Sequence, residues 1–264
     1  IVFLLNYQLT KMFLIFSFFI TFFSSYLTLY LLIPLLKKNI IDTPNERSSH
    51  KSPIPSGGGI VFALIGSLMC SYFENNIPLF CMPLAFLGLM DDRYNLPSSI
   101  RYVIQTLVST ILIFNSPLKN YIVSSNIFLS LITFIVLIVF CTGNINFFNF
   151  MDGIDGLVSS CVIVFLISAS LIAQPSFMPM VGALCGFTIL NWSPAKVFMG
   201  DAGSTFLGAL VTALIINSMN LNNFLGMLII IFPIFGDASI CVMRRYLAGQ
   251  NVFKPHKLHL YQRL

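Results

Sequence analysis

The carboxylates of this 264-residue chain are few, and most stand in short polar segments between long apolar runs. Asp91 and Asp92 are adjacent in the segment GLMDDRYNLPSS. Neighbouring carboxylates repel, so the pair calls for a cation or a basic partner. Asn149, Asp152 and Asp155 recur every third residue in NINFFNFMDGIDG, which in helical geometry places them on one face. Asp201 stands between Gly200 and Gly203 in NWSPAKVFMGDAGS, where the glycines let backbone approach a ligand closely. A basic segment, RSSHKSPIPSGGG, carries Lys51 ahead of three glycines, and backbone N–H groups entering a helix can hold phosphate. The last cluster, KPHKLHLYQRL, holds His259 and Arg263, groups able to grip a diphosphate.

Each segment also has a plainer reading. Asp152, Asp155 or Asp201 can cap a helix, Asp91 and Asp92 can be a solvated helix end, and basic residues can anchor a membrane surface. Capping explains one acid; it does not explain two acids with three asparagines. Taken together the segments offer oxygen donors for a hard cation beside basic groups for phosphate. Mg²⁺ commonly binds through one or two carboxylates plus substrate phosphates, and phosphoryl transfer needs little beyond positioning and charge neutralisation.

The elements that must position these residues are apolar. Hydrophobic residues make up 57% of the chain and charged residues 9%, against about 25% charged in a soluble domain. With a mean hydropathy of +0.89 this excludes disordered, fibrous and nucleic-acid-binding classes, and leaves a soluble enzyme too little polar surface. Apolar segments fall at 13–36, 57–73, 75–90, 100–115, 124–142, 154–173, 177–190, 203–219 and 224–243. A span needs about 20 helical residues, and the third, fourth and seventh segments are short by that measure. The expectation is an all-α, polytopic transmembrane bundle of about nine spans, one domain over 1–264, with 1–11 upstream of a start at Met12. The six cysteines lie in apolar runs without metal-ligand spacing and read as small buried residues.

Threading nine spans sends alternate loops to one side. That side then collects every Lys and Arg of the 14 except Lys11 and Lys119, which makes it cytoplasmic and the N-terminus external. All the acids except Glu74 fall on or near the same face. Asp and Glu contribute little to orientation, so topology does not demand this. It suggests one site that binds a cation and an anion together.

From Arg47 to Leu264 these motifs, in this order, resemble the polyprenyl-phosphate N-acetylhexosamine-1-phosphate transferases, glycosyltransferase family 4 in the older naming. The resemblance implies transfer of a sugar-1-phosphate from a UDP-N-acetylhexosamine to undecaprenyl phosphate, with UMP released, in the bacterial inner membrane. By motif, Asp91 and Asp92 match the family's aspartate pair, tied to catalysis and the lipid phosphate. Asn149 and Asp201 match its Mg²⁺ ligands (Mn²⁺ being an alternative), and Asp152 and Asp155 its D-G-[IL]-D-G acids, the second near the nucleotide. Asn191 and Phe198 match residues of the uridine pocket, with Lys51 close to it. His259 matches the first histidine of an H-x-H-H tail signature, which here reads His259-Leu260-Tyr261-Gln262 followed by Arg263. That form is closer to the O-antigen-initiating branch, a glycan-starting role. Family members carry at least one more helix beyond this motif.

Two other classes compete. A transporter places its ionisable residues near the bilayer midplane in broken helices, whereas here they gather at one surface. A CDP-alcohol phosphatidyltransferase needs a D-G-x-x-A-R…G-x-x-x-D-x-x-x-D pattern, and here Asp152-Gly153 is followed by Ile154-Asp155.

Overall fold

The computed structural model describes residues 2–44, 52–124, 126–172, 177–218 and 220–249. Ten α-helices account for most of them: α1 (Val2–Asn39), α2 (Gly59–Tyr72), α3 (Ile77–Tyr94), α4 (Ser98–Phe114), α5 (Leu118–Ser124), α6 (Ile127–Met151), α7 (Leu157–Ile172), α8 (Met178–Asn191), α9 (Gly200–Ile216) and α10 (Leu221–Leu247). Two antiparallel two-residue strands, β1 (Ile41–Asp42) and β2 (Ile54–Pro55), form a hairpin between α1 and α2. Apart from the short α5, each helix falls on one expected apolar segment. The class is all-α, as composition requires.

Among the described residues, two helical stretches, 12–39 and 127–151, are long and apolar enough by length and composition to cross a membrane. The count of nine spans therefore does not follow from helix length. Apart from the 27-residue α10, the other helices are shorter because polar loops interrupt the apolar runs, as at Asn95–Pro97, which separates α3 from α4. Asn95 there takes a left-handed conformation (φ 50°), which asparagine tolerates, and Pro97 disfavours helix at Leu96.

Polar and apolar surfaces are inverted relative to a soluble protein. Phe13, Phe16, Phe23, Phe128, Val139 and Leu171 are all more than half exposed, while Ser159, Ser204, Thr212 and Gln105 are buried. Backbone groups in hydrocarbon must be satisfied within their own segment, which helices achieve and open sheet edges do not. The chain is a membrane protein whose exposed apolar faces meet lipid.

The core is built around α9. Ala202 through Ile216 are all buried, and α9 packs against α2, α3 and α6. Close approach needs missing side chains at defined points: a Cβ on Gly88 of α3 would collide with the backbone of Asp201 and Ala202. The helix that carries Asp201 is thus the most enclosed in the molecule.

Candidate active site

Hydrogen bonds tie helix ends together at one pole of the bundle. The C-terminal ends of α1, α3, α6 and α8 meet the N-terminal ends of α2, α4, α7 and α9. Ser56 N–H donates to Ile40 O (3.1 Å), Gly58 N–H to Phe198 O (2.9 Å), Gly59 N–H to Met199 O (3.0 Å), and Phe198 N–H to Pro55 O (2.8 Å). The hairpin and the 192–199 loop are stitched into one floor. Glu74 and Lys119, two of the three charged residues expected on the far side, lie in the α2–α3 turn and in α5, remote in topology from this pole.

Asp92, near the end of α3, accepts from Asp201 N–H (2.9 Å) and Ala202 N–H (3.4 Å), and so caps α9 from another helix. A carboxylate at a helix N-terminus satisfies donors the helix cannot and complements its dipole. Gly200 makes this possible: its φ is +67°, and a Cβ there would strike the Asp92 carboxylate. Asp91 is buried (6% exposed) and accepts from Leu96 N–H (2.7 Å) and from Arg101 (2.8 Å). The same guanidinium nitrogen lies 3.7 Å from Asp201, so Arg101 bridges two acids of different helices.

The D-G-I-D-G turn brings the next acids in. Asp152 ends α6, and its carboxyl feels the charges of Asp92 and Asp155. Asp155 accepts from Ala195 N–H (3.0 Å) and so holds the 192–199 loop. Asn149, one turn back on α6, takes the Ser204 hydroxyl at 2.6 Å, linking α6 to the first turn of α9. Asn191 is buried, its carbonyl oxygen accepting from Gly156 N–H and its amide donating to Val197 O, both at 3.0 Å. Phe198 is half-buried in the same loop. Lys51, His259 and Arg263 lie outside the described residues.

Among the described residues, Arg101 is the basic side chain that pairs with Asp91 and Asp201 at this pole. Asp92, Asp152 and Asp201 lie at helix ends, outside the apolar spans 75–90, 124–142 and 203–219. Burial pushes Asp92 up to about 7, with the charges of Asp91 and Asp42 adding to it against the two backbone N–H donors. Burial pushes Asp152 up to about 8, reinforced by Asp92 and Asp155. Asp201, though 29% exposed, is raised well above the usual carboxylate range by burial, by Asp92 and by a hydrogen bond with Asp91, against Arg101. Carboxyls so placed hold protons until something else neutralises them.

A hard divalent cation is chemically suited to that role. The donors here are carboxylate and amide oxygens with no histidine or thiol among them, the set that Mg²⁺ takes. Among the described residues no three His, Cys, Asp or Glu side chains form a finished cage.

Of the candidate residues, Asp91, Asp92, Asp152 and Asp201 come together, with Asn149 joined through Ser204, and Asp155, Asn191 and Phe198 bound into the adjoining loop. Sequence reasoning overlooked Arg101 as a site residue, using it only to assign the membrane face. Its signal was its position at the start of α4, just past the Leu96-Pro97 turn that folds α4 back beside the Asp91–Asp92 pair.

Comparison with known proteins agrees with this geometry. The pattern that defines glycosyl transferase family 4 matches residues 76–219, α3 through α9, which carry Asp91, Asp92, Asp152, Asp155 and Asp201. The chain is 28% identical over 275 residues to a probable undecaprenyl-phosphate N-acetylglucosaminyl 1-phosphate transferase of Bacillus subtilis, covering 93% of this chain and 76% of the relative. It is 29% identical over 238 residues to the undecaprenyl-phosphate alpha-N-acetylglucosaminyl 1-phosphate transferase of Thermotoga maritima (90% and 77%). A decaprenyl-phosphate N-acetylglucosaminephosphotransferase of Mycobacterium leprae is 26% identical over 277 residues (84% and 69%). This chain belongs to glycosyl transferase family 4, among its polyprenyl-phosphate N-acetylhexosamine-1-phosphate transferases.

Proposed function

We propose that the protein transfers N-acetylhexosamine-1-phosphate from a UDP-sugar to undecaprenyl or another polyprenyl phosphate at the cytoplasmic face of a bacterial inner membrane, starting a lipid-linked cell-surface glycan. The observation that carries this reading is the convergence of Asp91, Asp92, Asp152 and Asp201 from the ends of α3 and α6 and the start of α9, with Arg101 bridging Asp91 and Asp201. An oxygen of the lipid phosphate attacks the β-phosphorus of the UDP-sugar. The bond from that phosphorus to the UMP oxygen breaks, and UMP leaves. The lipid keeps a sugar diphosphate.

A phosphate monoester has a second pKa of about 6, so the nucleophile is largely ionised at neutral pH and no general base is obligatory. Asp91 and Asp92 therefore act chiefly as positioning groups: Asp92 orients the first turn of α9, and Asp91 orients Arg101. Arg101 offers a guanidinium for the phosphates. Asp201 and Asn149 would hold Mg²⁺ (or Mn²⁺), which when bound neutralises diphosphate charge. Asp152 and Asp155 shape the nucleotide end, and Phe198 offers a ring for the uracil. Asn191 acts from behind, holding the loop. Lys51, His259 and Arg263 complete the charge balance against the diphosphate.

The test follows UMP release by detergent-solubilised protein supplied with polyprenyl phosphate and a panel of UDP-sugars. Release that requires the lipid, requires a divalent cation and fails in Asp201→Asn supports the reading. Release without lipid, or undiminished in Asp201→Asn, overturns it.

A further inference from the structure

A groove of about 530 Å³ opens between the C-terminal third of α1, the β2 strand and Ala195–Lys196. Its walls are Tyr30, Leu31, Pro34 and Ile54, and its charged groups are Lys37 and Lys196. Among the described residues no Asp or Glu lines it, and neither lysine has an ion-pair partner. Tyr30 and Leu31 are 55% and 67% exposed on α1, one of the helices long and apolar enough to cross a membrane. The groove thus runs from a lipid-facing apolar wall to two unneutralised ammonium groups at one membrane surface.

Fixing orientation accounts for Lys37 and Lys38 at the end of α1, but it does not place Lys196, from a loop distant in sequence, across the same groove while Lys38 stays outside it. Two cations over an apolar slot fit an amphiphile whose head is an anionic phosphate and whose tail lies along the bilayer. We propose that this groove binds the headgroup of an anionic phospholipid, with Lys37 and Lys196 on the phosphate and the acyl chain along Tyr30, Leu31 and Pro34. The inference rests on the membrane reading and not on the reaction. Occupancy has a route to the site nonetheless: Pro55 O accepts from Phe198 N–H, and Ala195 N–H donates to Asp155, so the two walls of the groove are the backs of residues in the acid-lined pole.

The test is lipid retention, read by native mass spectrometry of the full chain released from nanodiscs holding phosphatidylglycerol and phosphatidylcholine in equal amounts. The wild-type chain is expected to retain phosphatidylglycerol selectively. Retention is expected to fall about fivefold with each of Lys37→Gln and Lys196→Gln, the factor one basic residue contributes at an anionic surface. The charge-preserving Lys37→Arg/Lys196→Arg pair is expected to keep it, as is Lys119→Gln at the opposite end of the bundle. Equal retention of both lipids, or selectivity untouched in Lys37→Gln/Lys196→Gln, overturns the proposal. So does displacement of phosphatidylglycerol by polyprenyl phosphate at lower concentration than by phosphatidylglycerol itself, which would make the groove part of the substrate path. Because no turnover is measured, failure here leaves the transferase reading to its own assay.

Discussion

The carboxylate of Asp92 caps the helix that begins with Gly200 and Asp201, accepting the Asp201 N–H at 2.9 Å across 109 residues of sequence. One acid thereby sets the direction of another, and removing its charge is different from removing its oxygens. Asp92→Asn keeps an acceptor for the Asp201 N–H and is expected to fold normally. Activity is expected to fall 10–100-fold, the range for a group acting through a metal ligand. Asp92→Ala loses the cap and should also cost about 1 kcal/mol of stability. UMP-release rates beside thermal melts in detergent separate the two. Activity of Asp92→Asn rescued at high pH would instead make Asp92 a base.

The raised carboxyls predict how pH acts. A carboxyl whose folded-state pKa lies above its unfolded value of about 3.9 stabilises the fold below that value and loses this contribution as pH rises through the folded pKa. With Asp92 at about 7 and Asp152 at about 8, the cation-free protein should lose stability between pH 5 and pH 8. A cation competes with those protons. Its stabilising effect should therefore be small at pH 6 and grow towards pH 8.5, read as the melting shift on adding MgCl₂. A shift independent of pH would contradict the assignment.

Arg101 sits between Asp91 and Asp201 as a fixed positive charge, and is itself 39% exposed. Replacing it by Gln should change stability by less than about 1 kcal/mol, as for other solvent-screened pairs. Its larger effect is on function. With the guanidinium gone, Asp201 is freer for a cation, so half-maximal Mg²⁺ should fall while turnover drops. Arg101→Lys is not expected to restore turnover fully, because an ammonium cannot reproduce the planar fork. A Mg²⁺ titration of initial rates checks both parts.

Asn191 uses both ends of its amide inside the protein. Asn191→Ala leaves the Gly156 N–H and Val197 O without it in a buried setting, at about 1–3 kcal/mol for each group stranded. Asn191→Asp should be no better, since a second acceptor would face the Val197 carbonyl. Both variants are expected to melt lower than the parent, with the loss of activity following the loss of fold.

Gly88 offers a packing test. A Cβ there meets the Asp201 backbone, so Gly88→Ala must push α3 from α9. The cost should be about 1–3 kcal/mol, and activity should fall further than stability because Asp92 then loses its grip on Asp201. Equal melting of Gly88→Ala and parent would show that the two helices are not so closely set.

Much was legible in advance where physics is local. Composition and long continuous apolar runs pointed to a membrane helical bundle, since a helix satisfies its backbone within its own segment in lipid. Periodicity and polar interruptions located the helices, and charge asymmetry put the acids on one face. Length could not certify each span, because among the described residues only α1 and α6 pass the test of length and composition. The short helices are held by packing on α9, which no window of sequence contains.

The chain order of amino acids determined which residues are able to do chemistry: paired aspartates, an asparagine–aspartate face and a glycine-flanked aspartate. Only the tertiary structure decided their relations. It made Asp92 a cap for α9, turned Arg101 from a topological marker into a bridge between acids, and closed both ends of Asn191 against the backbone. It also set Lys37 across from Lys196 over an apolar groove. Each of these contacts joins segments far apart in the chain, and its energy depends on burial and distance, which exist only once α9 is enclosed by its neighbours.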